Sequence, residues 1–156
     1  IEVVMELTPT DRTILRILQV DSKSRLEDIA QEAGASVATI QRRIRHLRSE
    51  GIIQRDTALI DPVAVGQGMT FLILVELERE RLDILDAFRR KIHAEPQIQQ
   101  CYYITGEADF ALVALANDML EYQELIQRLF FDDTNVKRFR TSVVMDRTKV
   151  GLSVPI

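Results

Sequence analysis

The chain has 156 residues, of which 46% are apolar and 28% are charged, and this fits one ordinary folded domain or two small ones. Its formal net charge of −4 argues, taken alone, against nucleic-acid binding. No apolar run approaches the ~20 residues of a membrane-spanning helix, and the acidic first seven residues are unlike a signal peptide. The only cysteine, Cys101, excludes an intramolecular disulfide and favours a reducing cytoplasm. Because the chain does not begin with Met, we expect that its start has been trimmed by a few residues.

The charges are distributed unevenly along the chain. Residues 1–55 carry nine Lys and Arg against eight Asp and Glu, whereas the remainder carries eleven against sixteen. Within the first part, residues 36–48 hold four arginines and no acidic residue. A local basic ridge on a near-neutral domain is enough for DNA contact, so the total charge is a poor guide to function.

Capping patterns predict two short helices near the start of the chain. The first begins at Thr8 or Thr10, with Pro9 in its first turn. The second begins at Ser24, whose spacing to Glu27 is that of a capping box. Apolar residues follow each cap at helical spacing, so each helix has one face to bury.

A third helix is predicted from its cap at Ser36 to its stop at Gly51. The turn at Gly34 leaves a break of two residues after the second helix, which is the spacing of a helix-turn-helix. Opposite its apolar stripe, the third helix carries small, hydroxyl and basic side chains of the kind that enter a DNA major groove. An amphipathic helix with a merely solvated charged face is the alternative. The residues predicted to contact DNA are Ser36, Ala38, Thr39, Gln41, Arg42, Arg43 and Arg45.

A short strand is predicted at residues 52–60, before the turn formed by Asp61 and Pro62. The glycine-containing residues 61–68 are the predicted linker. They divide a DNA-binding domain, residues 1–60, from a second domain, residues 69–156.

The second domain alternates between strand and helix patterns. Its order, β-α-β-β-α-β, is the ferredoxin-like arrangement, so the fold class is α+β with a winged-helix-like helix-turn-helix in front. The predicted elements are strands at 70–77, 98–105, 110–116 and 136–145, a helix at 82–94, a turn at 106–109 and a helix capped by Asn117.

The second face of the predicted sheet is unusually apolar. In such a domain both helices cover one face, and the other face should be polar if it meets water. Leu72 and Leu74 fall on that outer face, and residues 110–116 contain no polar residue. An apolar surface of this size marks an interface, so we expect a homodimer formed through the sheet.

No catalytic or metal-binding pattern is present. His46 and His93 lie in different domains, and the sequence has no metal-ligand spacing, phosphate-binding loop or nucleophile elbow. Cys101, in the middle of a strand, is interpreted as a small buried residue. We therefore predict no enzymatic activity, no metal and no cofactor. The second hypothesis is a small-molecule enzyme or metabolite-binding module whose N-terminal helices serve only for protein contacts.

The sequence resembles the Lrp/AsnC ("feast/famine") transcription regulators. Residues 36–53 match the pattern S-x-x-T-x-x-R-R-I-x-x-L-x-x-x-G-I-I of their helix-turn-helix. The match continues through the sequences TALIDP at 57–62, GEADF at 106–110 and TSVVM at 141–145, and it spans about residues 7–150. The helix-turn-helix alone is shared by many regulators, whereas the G-x-x-D-[FY] turn in this register is more specific.

The resemblance implies a cytoplasmic regulator that binds double-stranded DNA as symmetric dimers, which assemble into octamers or other assemblies of dimers. It also implies an amino-acid effector bound near the G-x-x-D-[FY] turn, between dimers. The carboxylate of Asp109 would bind the effector's ammonium, or else merely stabilise its own turn. Glu107 and Ala108 depart from the family pattern, which leaves the effector's identity open. The predicted effector-binding residues are Tyr103, Gly106, Glu107, Asp109, Thr141 and Ser142.

Overall fold

The computed structural model describes residues 6–156. The first five residues lie outside the described residues, and they include most of the acidic segment that is unlike a signal peptide. The described chain forms two compact units. The first comprises residues up to 58 together with residues 149–156, and the second comprises residues 59–148. The sequence placed residues 149–156 in the second domain. The structure differs there because this segment hydrogen-bonds and packs against the helices of the first unit.

Three helices form the first unit, namely α1 (Pro9–Leu18), α2 (Leu26–Ala33) and α3 (Val37–Ser49). Thr8 caps α1 in a capping box with Asp11, because each side chain accepts a hydrogen bond from the other's backbone N–H. The hydroxyl of Ser36 accepts a hydrogen bond from the N–H of Thr39 at 3.1 Å and caps α3. These caps agree with the sequence pattern.

The start of α2 differs from the prediction. Its N-cap is Arg25, which forms no capping hydrogen bond with its side chain. The hydroxyl of Ser24 instead donates to the carbonyl of Asp21 at 2.8 Å. The predicted Ser24 cap is wrong because this hydroxyl is used in the preceding turn.

The helix-turn-helix break lies at Gly34, as predicted. Its φ of +64° is left-handed, a conformation that glycine adopts without strain. Two residues therefore suffice between the end of α2 and Ser36, the N-cap of α3. Apolar side chains of the three helices form one core, made of Ile14, Leu15, Ile29, Ala30, Ile40, Ile44 and Leu47.

The strand predicted at residues 52–60 is not formed. The N–H groups of Ile52 and Ile53 bind the carbonyl of Leu47 at 2.9 and 3.1 Å and close the end of α3. The residues that follow have no regular structure, and Leu59 and Ile60 are exposed. β-propensity is a local property, but a strand needs a hydrogen-bonding partner. The described part of the chain supplies none for this segment.

The predicted linker contains one hydrogen-bonded turn. The carbonyl of Pro62 accepts from the N–H of Gln67 at 2.7 Å, and that of Val63 accepts from Gly66 at 3.1 Å. Gly66 has a φ of +85°. This part of the linker is therefore a folded turn directly before the first strand.

The second unit has the predicted β-α-β-β-α-β order. Asp118, rather than the predicted Asn117, caps the second helix, since its carboxylate accepts from the N–H of Glu121 at 2.9 Å. The four strands form one antiparallel sheet in the order β2-β3-β1-β4. The elements are β1 (Met69–Leu77), α4 (Leu82–His93), β2 (Ile98–Tyr103), β3 (Phe110–Ala116), α5 (Met119–Ile126) with a following π-helical turn (Gln127–Phe131), and β4 (Val136–Val143).

The two faces of the sheet differ in burial. Phe71, Ile73 and Val75 of β1 are buried in the core that the sheet forms with α4 and α5. The alternate residues Leu72 and Leu74 are 49% and 37% exposed. This alternation agrees with the sequence pattern, and it leaves the outer face uncovered in the single chain.

Candidate nucleic-acid interface and ligand site

The exposed side of α3 carries most of the predicted DNA-contacting residues. Gln41, Arg42 and Arg45 are exposed, and the apolar residues of α3 are buried on the opposite side. At the start of the helix, Ser36 and Thr39 are hydrogen-bonded to each other through their hydroxyls at 2.9 Å. A helix with a small N-terminal end and long basic side chains behind it has the features of a major-groove reader.

Arg43 is placed differently from the other arginines of α3. Its Nε and Nη2 donate to the two carboxylate oxygens of Asp11 at 2.8 and 2.7 Å. Asp11 is 0% exposed, and its hydrogen bonds with Arg43 and Thr8 hold the pKa of its carboxyl at about 2, against desolvation by burial. The pair therefore fastens α3 to α1. Contact of Arg43 with DNA stays a prediction.

The Asp11–Arg43 pair is a structural element that sequence reasoning missed. In the sequence, Asp11 stands only as an acidic residue in the first turn of the first predicted helix. The two residues are 32 positions apart, and no local pattern links them. Both residues were visible as charges flanking an apolar stripe, but their pairing depends on how α1 and α3 cross.

A groove of about 410 Å³ flanks the exposed side of α3. Its lining combines apolar side chains with serine hydroxyls and two guanidinium groups, and Arg48, one of these two, also donates to Asp56 at 2.7 Å. The lining residues are Leu18, Ser22, Ser24, Leu26, Gln41, Ile44, Arg45 and Arg48. Guanidinium donors and the hydroxyl of Ser22 beside α3 suit a phosphate group, whereas the hydroxyl of Ser24 is already bound to Asp21.

The turn between β2 and β3 is held by Asp109. Its Oδ2 accepts from the N–H of Leu77 at 2.6 Å, and its own N–H donates to the carbonyl of Val75 at 2.9 Å. Gly106, within the turn, has a φ of +118°. One oxygen of Asp109 is thus engaged with the end of β1, which ties the turn to that strand and is not a hydrogen bond within the turn itself.

Glu107 lies at the exposed tip of the same turn and pairs with Arg140 of β4 at a distance of 3.0 Å. Arg140 is opposite Leu74 in the sheet, so its backbone position belongs to the uncovered face. An exposed carboxylate of the turn and an exposed guanidinium of β4 therefore lie together beside an apolar surface.

The remaining predicted effector residues do not lie together. Thr141 is hydrogen-bonded to the buried hydroxyl of Tyr122, beneath the helices. Ser142, the next residue, is opposite Leu72 on the uncovered face. Adjacent residues of a strand point to opposite faces, so Thr141 and Ser142 lie on different faces of the sheet, and their contact with an effector stays a prediction.

Tyr103 also lies on the helix-covered side of the sheet. Its ring is 5.1 Å from that of Phe110, and the guanidinium of Arg89 stands 5.4 Å from its centroid. These contacts place Tyr103 against α4, away from Ser142. The predicted set is therefore divided between the two faces, with Gly106, Glu107 and Asp109 at the end of the sheet.

Other chemistry is not supported. No group of three His, Cys, Asp or Glu within residues 6–156 is arranged to hold a metal ion. In the same residues, no helix is both long and apolar enough to cross a membrane. The prediction that Cys101 is buried was wrong, because β2 is an edge strand and leaves the residue exposed. Desolvation nevertheless raises the pKa of its thiol, so it is not an activated nucleophile.

Known families match both units of the chain. A winged helix-turn-helix DNA-binding model matches residues 7–54, and the Lrp/AsnC ligand binding domain matches residues 70–154. An HTH-type transcriptional regulator of Sinorhizobium fredii, y4tD, is 41% identical over 97% of this chain and 90% of its own length. The transcriptional regulator AzlB of Bacillus subtilis is 32% identical over 96% of both chains.

Solved structures agree. An AsnC family transcriptional regulator from Agrobacterium tumefaciens superposes with a TM-score of 0.90 at 27% identity, over 96% of this chain and 97% of that one. A transcriptional regulator from Neisseria meningitidis, solved as a complex with L-Met, has a TM-score of 0.89 at 26% identity over the same shares.

The helix-turn-helix and the ligand-binding unit define a DNA-binding transcription regulator. The chain belongs to the Lrp/AsnC family of these regulators. Members of the family are regulators and not enzymes, so the hypothesis of a small-molecule enzyme is wrong.

Proposed function

We propose that this regulator binds specific double-stranded DNA in the cytoplasm as a dimer or an assembly of dimers. An amino acid bound to its second unit changes its affinity for that DNA. The observation that carries the proposal is the exposed side of α3, where Gln41, Arg42 and Arg45 project from a helix that the Asp11–Arg43 pair fixes in place.

The proposed DNA-contacting residues of α3 differ in the length of their side chains. Ser36 and Ala38 are small, so the start of the helix approaches the floor of the major groove. Gln41 and Arg42 have donors long enough for base edges, where Gln pairs with adenine and Arg with guanine. We assign Arg45, which lines the groove beside α3, to a phosphate contact. This division assigns sequence reading to the first two turns and positioning to the third.

An amino-acid effector is supported by two observations. The second unit is a family ligand-binding domain, and the Neisseria meningitidis relative was solved with L-Met. An amino acid needs a partner for its ammonium and another for its carboxylate, and Glu107 and Arg140 offer these side by side at the turn. We keep Asp109 as a second partner for the ammonium, since only its Oδ2 is engaged with Leu77.

The effector acts on DNA binding through its different affinities for two states of the protein. The assembly of dimers is the proposed equilibrium, because Glu107 and Arg140 are exposed beside the uncovered sheet face. Tyr103 and Thr141 lie on the helix-covered face of the sheet, and their contact with the effector stays a prediction.

A gel shift against the DNA upstream of the protein's own gene tests the proposal. We expect a retarded band that random duplex displaces only weakly. We also expect the midpoint of binding, which is the protein concentration at which half of the DNA is retarded, to change with one or a few of the twenty amino acids. Equal affinity for both duplexes would contradict specific DNA binding. A midpoint unaffected by every amino acid would contradict the effector.

A further inference from the structure

The chain returns to the DNA-binding unit after it has completed the sheet of the second unit. Residues 149–156, here called the strap, belong with the three helices and not with the sheet. The strap follows β4 in the chain, and the N–H of Val144 still binds the carbonyl of Thr70 at 2.9 Å. Two covalent connections therefore join the units, the linker before β1 and the segment between β4 and the strap.

Gln19 holds the strap by both of its amide atoms. Its Nε2 donates to the carbonyl of Val154 at 2.9 Å, and its Oε1 accepts from the N–H of the same residue at 2.9 Å. A side-chain amide that binds both polar groups of one residue imitates a neighbouring strand and fixes the position and direction of the segment. Ile156, two residues further on, packs against the apolar core of the helices.

The rest of the strap is weakly bound. Leu152 and Val154 are largely exposed, so little apolar burial supports the hydrogen bonds. Segments with few buried contacts open locally at low free energy. The strap therefore depends on Gln19 and Ile156, and it is able to dock and release without unfolding either unit.

Gln19 is the C-cap residue of α1, directly after the last residue of the helix. Through Asp11 and Arg43, α1 is fastened to the reading helix α3. A displacement of β4 that moves the strap would therefore act on α1, which positions α3. Arg140 of β4, which we proposed as an effector contact, lies nine residues before the start of the strap.

We propose that Gln19 is a docking site for the strap and that the docked strap links the state of the ligand-binding unit to α1. The linking role rests on the proposed function, whereas the docking does not. The strap contact is intrachain, and its release leaves the DNA-contacting residues of α3 in place.

Hydrogen exchange of the full chain tests the docking. We expect the amide of Val154 to be protected at least tenfold against exchange, and Gln19→Ala to remove that protection. Gln31→Ala is the matched control, since Gln31 is exposed on α2 and its side chain makes no hydrogen bond within residues 6–156. Free exchange of Val154 in the unaltered protein, or full protection in Gln19→Ala, would overturn the docking.

A gel shift of the same variants tests the linkage. We expect Gln19→Ala to keep its DNA affinity without amino acid within about twofold, and to lose at least half of the effector-dependent change in midpoint. An unchanged effector response in a variant whose strap is free would overturn the linking role. If the unaltered protein has no effector response at all, the linking role fails together with the effector proposal, and hydrogen exchange still decides the docking.

Discussion

Asp11 is a fully buried carboxylate whose charge is balanced by a single guanidinium. Arg43 holds it with two charge-assisted hydrogen bonds, and this lowers the pKa of Asp11 from 3.8 to about 2. An acid with a depressed pKa stabilises the fold fully above its unfolded-state pKa, and the contribution is lost as the pH falls through the folded-state pKa. The loss therefore occurs between about pH 4 and pH 2.

We expect Asp11→Asn to lower the free energy of unfolding at pH 7 by about 2 kcal/mol, and to remove the part of the acid destabilisation that this residue causes. Denaturant titration at pH 7 and pH 3 measures both. Glu32→Gln is the control, because its ion pair with Arg16 is exposed and contributes at most about 1 kcal/mol. An Asn variant as stable as the unaltered protein at pH 7 would contradict the structural role of the pair.

Arg42 and Arg43 are neighbours with opposite expected roles. Arg42→Ala should leave stability unchanged and weaken DNA binding by about 1–3 kcal/mol if it contacts guanine, or reduce the salt slope by about one if it contacts phosphate. Arg43→Ala should instead lower stability, since it leaves Asp11 buried without its partner. Filter binding at several salt concentrations and denaturation separate the two. Arg90→Ala, an exposed charge on α4, is the control. Unaltered DNA affinity of Arg42→Ala would exclude it as a contact.

Asp109 has a turn-holding contact and a proposed ligand contact, and a conservative change separates them. Asp109→Asn keeps an acceptor for the N–H of Leu77 but loses the charge that an ammonium needs. We expect the Asn variant to stay folded and to bind the effector at least tenfold more weakly in calorimetry. Asp109→Ala should lose both stability and binding. Effector binding by the Asn variant equal to that of the unaltered protein would make Asp109 a turn residue only.

At the scale of elements, the helix-turn-helix could be predicted because its signals are local. The Ser36 cap and the Gly34 turn agree with the structure since each depends on residues within one turn. The prediction of a strand at residues 52–60 was wrong, because a strand needs a hydrogen-bonding partner and the local sequence does not determine one. The division of the ligand-site residues was missed for another reason. The resemblance names Thr141 and Ser142 together without regard to strand alternation, which puts them on opposite faces of the sheet, and their effector contact stays a prediction.

Gly34 permits the break between α2 and α3 through its conformation and not through its size. Its φ is +64°, and no atom lies within 4 Å of the place where a Cβ would stand. We therefore expect Gly34→Ala to destabilise the protein by about 1–2 kcal/mol, the cost of a left-handed L-residue. Gly68→Ala is the control, because that position is equally open and has no positive φ. Thermal denaturation gives both values. Equal midpoints for the two variants would show that the turn relaxes.

At the scale of the whole molecule, the two units differ in net charge. The basic side chains of α3 face outward on a nearly neutral unit, while the remainder of the chain is acidic. An acidic ligand-binding unit is repelled by phosphates, so we expect DNA to approach the protein at α3. The same difference explains why the total charge of −4 is compatible with DNA binding.

The uncovered sheet face is the surface through which we expect the protein to self-associate. Leu72 and Leu74 occupy the middle of β1, flanked by β3 and β4, and their side chains are 49% and 37% exposed. A monomer would keep this apolar area in water, whereas two copies packed face to face would remove it. Because the face lies outside the core of the single chain, a charge placed on it should disrupt association without unfolding the sheet.

We expect sedimentation of the unaltered protein at micromolar concentration to show a dimer or a larger assembly, and that of Leu74→Lys to show a monomer with a native circular dichroism spectrum. DNA affinity should fall as well, because a monomer presents one reading helix where a dimer presents two. Leu82→Lys is the matched control, since Leu82 is 77% exposed at the start of α4 and away from the sheet face. A stable monomer of the unaltered protein, or an undiminished assembly of Leu74→Lys, would contradict this interface. Dissociation of the Leu82 variant would instead locate the interface at α4.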